Sequence, residues 1–436
     1  MDNFNIDKDI SEFIDEMEKK YGYLPKSCYN QSKFENKIAY AGPSFDKHEL
    51  VAGIGNFLFG KWLSSGEAVH QFELEFSKKF NNRFSLMVNS GSSANLIMIA
   101  ALKKHLNWQD GDEIIISSVG FPTTTSSLLL SNLKPVFIDI EFDTLNFNLN
   151  LIEQKITDKT RGIFISPVLG NPPDMDKIID ICDKYKIIPI LDNCDSLGSK
   201  WKDRYLNEYS IASSCSFFPA HNMTTCEGGM ISTNNQDLIN IARSMVNWGR
   251  QCYCIGAANL LTRGTCGARF AKWLPNQDLI LDHKYIYSNI GYNLKPLDMQ
   301  GAIGIEQLKK IDGFNNKRII NRSLISDVFL QNKKLLVNSV ACDKNGHWVP
   351  FGTPFICKTK EIKRSIVSYL ESNGIQTRNY FAGNLLLHPA YSHLDDHRKY
   401  PEANKVLELV FFVGCSPTYT EEHIQYINKI VNSYEG

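Results

Sequence analysis

Between Phe84 and Thr233, short and nearly unbroken apolar runs alternate with segments of helical character. No other feature of the chain constrains its fold as tightly. The runs are Ser85–Asn89, Glu113–Ser117, Pro135–Asp139, Gly162–Ser166 and Ile187–Asp192, and helices are expected from Ala94, after Thr124 and over Met175–Lys184. Side chains of a strand point alternately to its two faces, so a strand apolar at successive positions must be covered on both. Helices placed between such strands supply that cover, and the pattern predicts an α/β fold with a mainly parallel sheet. Ligands of such sheets sit beyond the carboxyl ends of the strands, where candidate residues are to be sought.

Around this region, residues 1–55 read as helical and irregular sequence, with an amphipathic stretch over Ile10–Lys20. Residues 56–314 form the expected large domain, including a Cys-, Gly-, Trp- and Tyr-containing insert at 245–300. Residues 315–436 form a smaller α+β domain, with helices over Asn321–Asn332, Glu361–Ser372 and from Glu421, and a strand at Pro354–Cys357. Forty-seven Lys and Arg balance forty-seven Asp and Glu, which argues against a nucleic-acid partner held by phosphate neutralisation. The longest apolar runs, such as Leu409–Val413, are too short to span a bilayer. The start, Met1-Asp-Asn-Phe, lacks the basic-then-apolar pattern of an export signal. A cytoplasmic protein with no membrane partner is expected.

Three segments at strand ends carry candidate chemistry. Asn89-Ser-Gly-Ser-Ser-Ala-Asn95 follows a strand and opens a helix, so free backbone N–H groups and hydroxyls meet there. That is an anion site suited to phosphate, or equally an ordinary Ser-capped helix start. Asp192 closes an apolar strand and serves as a cap, a metal ligand or a partner for a cationic ring nitrogen. Phe121, in Gly120-Phe-Pro-Thr-Thr124, offers a face for a planar ring, or a core side chain.

Taken in this order, and with Lys61-Trp-Leu-Ser-Ser-Gly66 and Gly291-Tyr-Asn293, these segments resemble the sugar aminotransferase (DegT/StrS) family of fold-type I pyridoxal-phosphate enzymes. The resemblance runs from about Ala52 to the end of the chain. It implies a seven-stranded-type sheet, Ser92 and Ser93 at the cofactor phosphate, Phe121 stacked on the ring, and Asp192 on the pyridinium nitrogen, making the ring an electron sink. It also implies a homodimer in which Asn293 reaches the phosphate of the neighbouring subunit. Where aminotransferases of the family carry the cofactor-binding lysine, this chain has His221, in Ser216-Phe-Phe-Pro-Ala-His-Asn-Met. Imidazole has no primary amine to join the cofactor aldehyde, but it is a competent base near neutral pH. The swap resembles the 3-dehydratase branch, which implies pyridoxamine 5′-phosphate held without a covalent bond and a nucleotide-sugar substrate. In that chemistry the histidine takes a proton from the cofactor's C4′ carbon and the hydroxyl on sugar C3 leaves. Phe218 stands where the branch's iron–sulfur members carry tyrosine. Arg378, in Thr377-Arg-Asn-Tyr-Phe, is a candidate for the nucleotide diphosphate or for a surface salt bridge.

Eleven cysteines remain to be explained. Cys215, Cys357 and Cys415 sit in apolar surroundings and read as small core residues. The pattern Cys194-x57-Cys252-x-Cys254-x11-Cys266 offers four thiolates, the number a [2Fe–2S] cluster takes. It resembles the cluster motif of the CDP-4-keto-6-deoxyglucose dehydratases, whose last gap is shorter than the one before Cys266. That resemblance implies a separate flavin/iron–sulfur reductase as electron donor, and a product on the way to 3,6-dideoxyhexoses of lipopolysaccharide O-antigen. A four-cysteine zinc site and unligated core cysteines are the alternatives. The same histidine occurs in the cluster-free branch acting on GDP-4-keto-6-deoxymannose, and a non-catalytic nucleotide-sugar-binding regulator is the reading from another class.

Overall fold

The structure, a computed structural model, describes residues 6–22, 36–252, 268–271, 274 and 276–436. Its large sheet contains β1 (Phe84–Val88), β2 (Glu113–Ser117), β3 (Lys134–Ile138), β4 (Thr160–Ile165) and β5 (Ile188–Asp192). After a short hairpin of β6 (Lys200–Trp201) and β7 (Arg204–Tyr205), β8 (Ala212–Ser216) and β9 (Gly229–Thr233) complete it. The order is β1-β9-β8-β5-β4-β2-β3, and only β9 runs against its neighbours. The other six strands therefore share a direction, and their carboxyl ends lie along one edge.

Both faces are covered, as the apolar runs require. In β2, Ile114 and Ile116 join one core cluster with Ile97, Leu102 and Ile190. Ile115, between them, joins a second on the opposite face with Ile163, Ile165, Ile178 and Leu191. The helices flanking the strands are α1 (Ile6–Tyr21), α2 (Lys47–Phe59), α3 (Glu67–Lys79), α4 (Gly91–His105), α5 (Pro122–Leu130), α6 (Met175–Tyr185) and α7 (Gln236–Val246). The helix expected from Ala94 begins three residues earlier because Ser90 caps it, its hydroxyl accepting from the Ser93 amide at 3.1 Å.

The largest departure from the sequence reading is α8. The helix expected over Asn321–Asn332 is the last third of a 34-residue helix, Asp298–Gln331. Gly301, Gly304 and Gly313 make its first half look broken in sequence. At Gly304 a Cβ would come within 2.7 Å of the Phe72 ring, so this glycine is a close helix–helix contact rather than a stop. Running through residues 314 and 315, α8 connects the large sheet to a four-stranded antiparallel one. That sheet has the order β10 (Val337–Ser339), β12 (Gly352–Cys357), β14 (Val410–Gly414) and β13 (Thr377–Asn379), while β11 (Gly346–His347) joins the β6–β7 hairpin. Helices α9 (Lys360–Ser372), α10 (Pro401–Leu409) and α11 (Glu421–Asn432) complete this part. Its core is Phe329 stacked on Phe355 at 4.2 Å, with Phe411, Ile366 and Ile427. Among the described residues no helix is long and apolar enough to cross a membrane.

Candidate active site

A cavity of about 310 Å³ opens at the carboxyl edge of the large sheet. Five segments reach it because their strands end there. The Ser90–Ser92 turn follows β1, Phe121 follows β2, Ser166 follows β4, Asp192 ends β5, and Ser216 to His221 follow β8. Tyr40, Phe351 and Phe381 close it from sequence-distant parts of the chain. The turn can approach β8 because Gly91 has no side chain; a Cβ there would lie 2.4 Å from Ser216 Cβ.

Asp192 is buried and tightly held. Its Oδ2 accepts from Asn95 Nδ2 and Thr124 Oγ1, both at 2.7 Å, and its Oδ1 accepts from the Cys194 amide at 3.2 Å. Ser214 Oγ donates to Asn95 Oδ1 at 2.5 Å, fixing the amide that holds the carboxylate. All these donors are neutral, and no lysine or arginine is among the described residues lining the cavity. A buried carboxylate held this way keeps its charge available for a cationic partner.

The other wall carries His221. Its ring lies 5.3 Å from that of Phe351, and its Nδ1 is buried with no hydrogen-bond partner. Asp195 Oδ1 approaches this nitrogen to 3.6 Å, too far for a hydrogen bond. Burial, helped by the Arg318 guanidinium, pushes the imidazole down to about 3. Burial, then the charge of Asp192, pushes the Asp195 carboxyl up to about 7. Both shifts oppose a resident ion pair between the two groups.

Ser92, Phe121, Asp192, Cys194 and His221 are thus brought together around one cavity. Ser93 is one residue further along α4, its hydroxyl accepting from Ser90 at 3.0 Å. Asn293 is exposed, paired with Asn247 in an isolated bridge, and its side-chain oxygen accepts from Lys295. Arg378 is exposed, with its guanidinium 4.1 Å over the ring of Tyr40, itself a cavity residue. Cys252 is buried beyond α7. Cys254 and Cys266 lie outside the described residues, and among those described no three His, Cys, Asp or Glu side chains are grouped as a metal site. Burial and the adjacent Asp192 carboxylate hold the Cys194 thiol well above its ordinary range.

The sequence singles out the segments holding Asn95 and Thr124 but not their bond to Asp192. Asp195 is readable there only as a neighbour of Cys194. Tyr40, Phe351 and Phe381 give no local signal at all.

The sequence matches the DegT/DnrJ/EryC1/StrS aminotransferase family over residues 45–432. The chain belongs to this family. A dTDP-4-dehydro-2,6-dideoxy-D-glucose 3-dehydratase of Saccharopolyspora spinosa is 33% identical over 91% of this chain and 86% of its own length. The lipopolysaccharide biosynthesis protein RfbH of Salmonella typhimurium is 34% identical over 86% of each chain. A GDP-4-keto-6-deoxy-D-mannose 3-dehydratase of Escherichia coli O55:H7 is 32% identical over 90% of this chain and 98% of its own. Among solved structures, an E. coli GDP-4-keto-6-deoxy-D-mannose-3-dehydratase with bound hydrated PLP superposes with a TM-score of 0.78. It is 30% identical, over 91% of this chain and all of that one. The fold-type I architecture expected from the sequence is the one found.

The residues present fit the family's cofactor. A capped helix start with a serine at the cavity suits its phosphate. Asp192, caged by neutral donors, suits its ring nitrogen, and the Nδ1 of His221 faces no hydrogen-bond partner.

Proposed function

We propose that this protein is a nucleotide-sugar 3-dehydratase that uses pyridoxamine 5′-phosphate and removes the C3 hydroxyl of a nucleotide 4-keto-6-deoxyhexose. The observation that carries this reading is His221, in the cavity opposite Asp192, with no lysine among the described lining residues. When bound, the cofactor supplies an amine for the C4 ketone and a ring that takes up negative charge. Ser92 and the α4 amides hold its phosphate, Phe121 covers its ring, and Asp192 fixes its nitrogen. His221, uncharged at neutral pH, takes the proton from C4′ and is then placed to protonate the departing hydroxyl. Phe351 and Phe381 keep water from this wall. Arg378, stacked on the cavity residue Tyr40, meets the nucleotide diphosphate. Asn293, exposed on each subunit of a homodimer, reaches its neighbour's phosphate.

The finer assignment is a [2Fe–2S] cluster on Cys194, Cys252, Cys254 and Cys266, served by a separate flavin/iron–sulfur reductase, with CDP-4-keto-6-deoxyglucose as substrate for 3,6-dideoxysugar and O-antigen synthesis. Its support is the cysteine spacing, the position of Cys194 at the cavity two residues beyond Asp192, and the likeness to the Salmonella lipopolysaccharide protein. The likeness to the E. coli GDP-sugar dehydratase favours a second reading, the same dehydration without a cluster.

Anaerobically purified protein distinguishes them. Iron and sulfide near two atoms each per chain, with visible charge-transfer absorption lost in a Cys252→Ser, Cys254→Ser double variant, is the expected result. Iron-free protein with full turnover assigns the chain to the cluster-free reading. A cofactor–lysine adduct after borohydride treatment would defeat both.

A further inference from the structure

Arg318 of α8 is only 1% exposed, and no carboxylate contributes to its electrostatic surroundings, which are burial, Cys415 and Tyr419. An arginine charge this deep is costly unless its donors are used. Its Nη2 donates to the carbonyl oxygens of His221 at 2.9 Å and Ala220 at 3.4 Å, and its Nη1 to that of Phe351 at 3.2 Å. One guanidinium thus fastens both the main chain bearing the base and the residue whose ring lies 5.3 Å from it. It fastens them to the helix that joins the two sheets. Its Nε has no partner; Cys415 is its side-chain hydrogen-bonding neighbour, and its three carbonyl acceptors all belong to the active-site wall.

We propose that Arg318 is the positioning residue for His221, setting where the imidazole stands against Phe351 and, as a buried cation without a carboxylate partner among the described residues, keeping that imidazole free of a proton. The charged groups facing His221 come from every side. Asp192 and Asp195 lie at and beyond the end of β5, Glu227 is on its own loop, and Arg318 is on α8. The Asp195 carboxyl, 3.6 Å from Nδ1, would draw a proton onto the ring, and Arg318 opposes it. The low proton affinity of the imidazole accords with this.

This inference rests on His221 being the base, and the test separates the two. In full-length protein with pyridoxamine phosphate bound, solvent exchange of the C4′ proton is followed from pH 3 to 9. The proteins compared are wild type, Arg318→Lys, Arg318→Gln and Arg318→Met. In Arg318→Met the rate should fall by about tenfold and the acid limb should move up by about one pH unit. Arg318→Lys keeps the charge but not the three-carbonyl fork, so its rate falls while its limb stays. Independently of turnover, the His221 resonance of histidine-labelled protein, identified by its loss in His221→Asn, should titrate at higher pH in the uncharged variants. If Arg318→Met does not fold, Arg318→Gln takes its place in both measurements. A folded uncharged variant with the wild-type limb and wild-type His221 titration overturns the proposal. Wild-type exchange that does not depend on His221 sinks the functional reading instead, and the resonance still decides Arg318.

Discussion

Asp192 and His221 face the same cavity, yet one is surrounded by donors and the other by almost none. The carboxylate accepts from Asn95, Thr124 and the Cys194 amide, and its cage is closed by Ser214. The imidazole has apolar Phe351 beside it and an Nδ1 without a hydrogen bond. A carboxylate that holds a protonated ring nitrogen gains from being fixed and fully bonded, because that pairing is kept throughout the reaction. A group that must accept and release a proton is better left uncommitted, because a strong resident bond would favour one protonation state. The difference is the one that the proposed division, binding at Asp192 and proton transfer at His221, calls for.

Three experiments bear on that division. The largest effect is expected for His221→Asn, which should slow C4′ proton exchange by at least about a hundredfold. Cofactor affinity, set at the Asp192 wall, should stay close to wild type. Exchange at the normal rate in this variant would place the base elsewhere. Next is Asp192→Asn, which removes a charge-assisted bond worth about 1.5–3 kcal/mol. Absorbance titration should show cofactor binding weakened by about tenfold to a hundredfold, and unchanged binding would mean that the ring nitrogen does not sit there.

The smallest effect is on stability. The folded-state pKa of His221 is depressed to about 3, from an unfolded value of about 6.5. Between these values the unfolded chain binds a proton that the native protein does not, so stability rises with pH through this window and is lost as pH falls. At pH 5, wild type should lose about 2 kcal/mol relative to His221→Asn, compared with their difference at pH 7.5. Denaturant melts of both proteins at the two pH values measure this, and a constant difference would show that the imidazole is not held uncharged.

Much of the cofactor wall is legible in the amino-acid sequence. The apolar runs locate β2 to the residue and β5 to within one, because a strand buried on both faces leaves a continuous apolar stretch. Asp192 and the Ser90 turn are visible because a polar residue directly after such a stretch stands out. His221 is visible through the family pattern. The first half of α8 is not, since a glycine that breaks a helix and one that lets two helices touch look the same in one dimension. Gly304 differs only because Phe72 is there.

The sequence by itself therefore determined the layered α/β fold, the strand ends that carry chemistry, and the histidine in place of lysine. The first two are local, since apolar periodicity and residue type need no partner to be read, and the third follows from the resemblance to the family. Only the tertiary structure decided that Asn95 and Thr124 hold Asp192, that Tyr40, Phe351 and Phe381 close the cavity, and that Asp195 stands opposite the imidazole. It also decided that Arg318, nearly a hundred residues further along, donates to the main-chain carbonyl of His221. Those relations depend on which distant segments pack together without water between them, and burial turns an ordinary carboxyl, imidazole or guanidinium into a functional one.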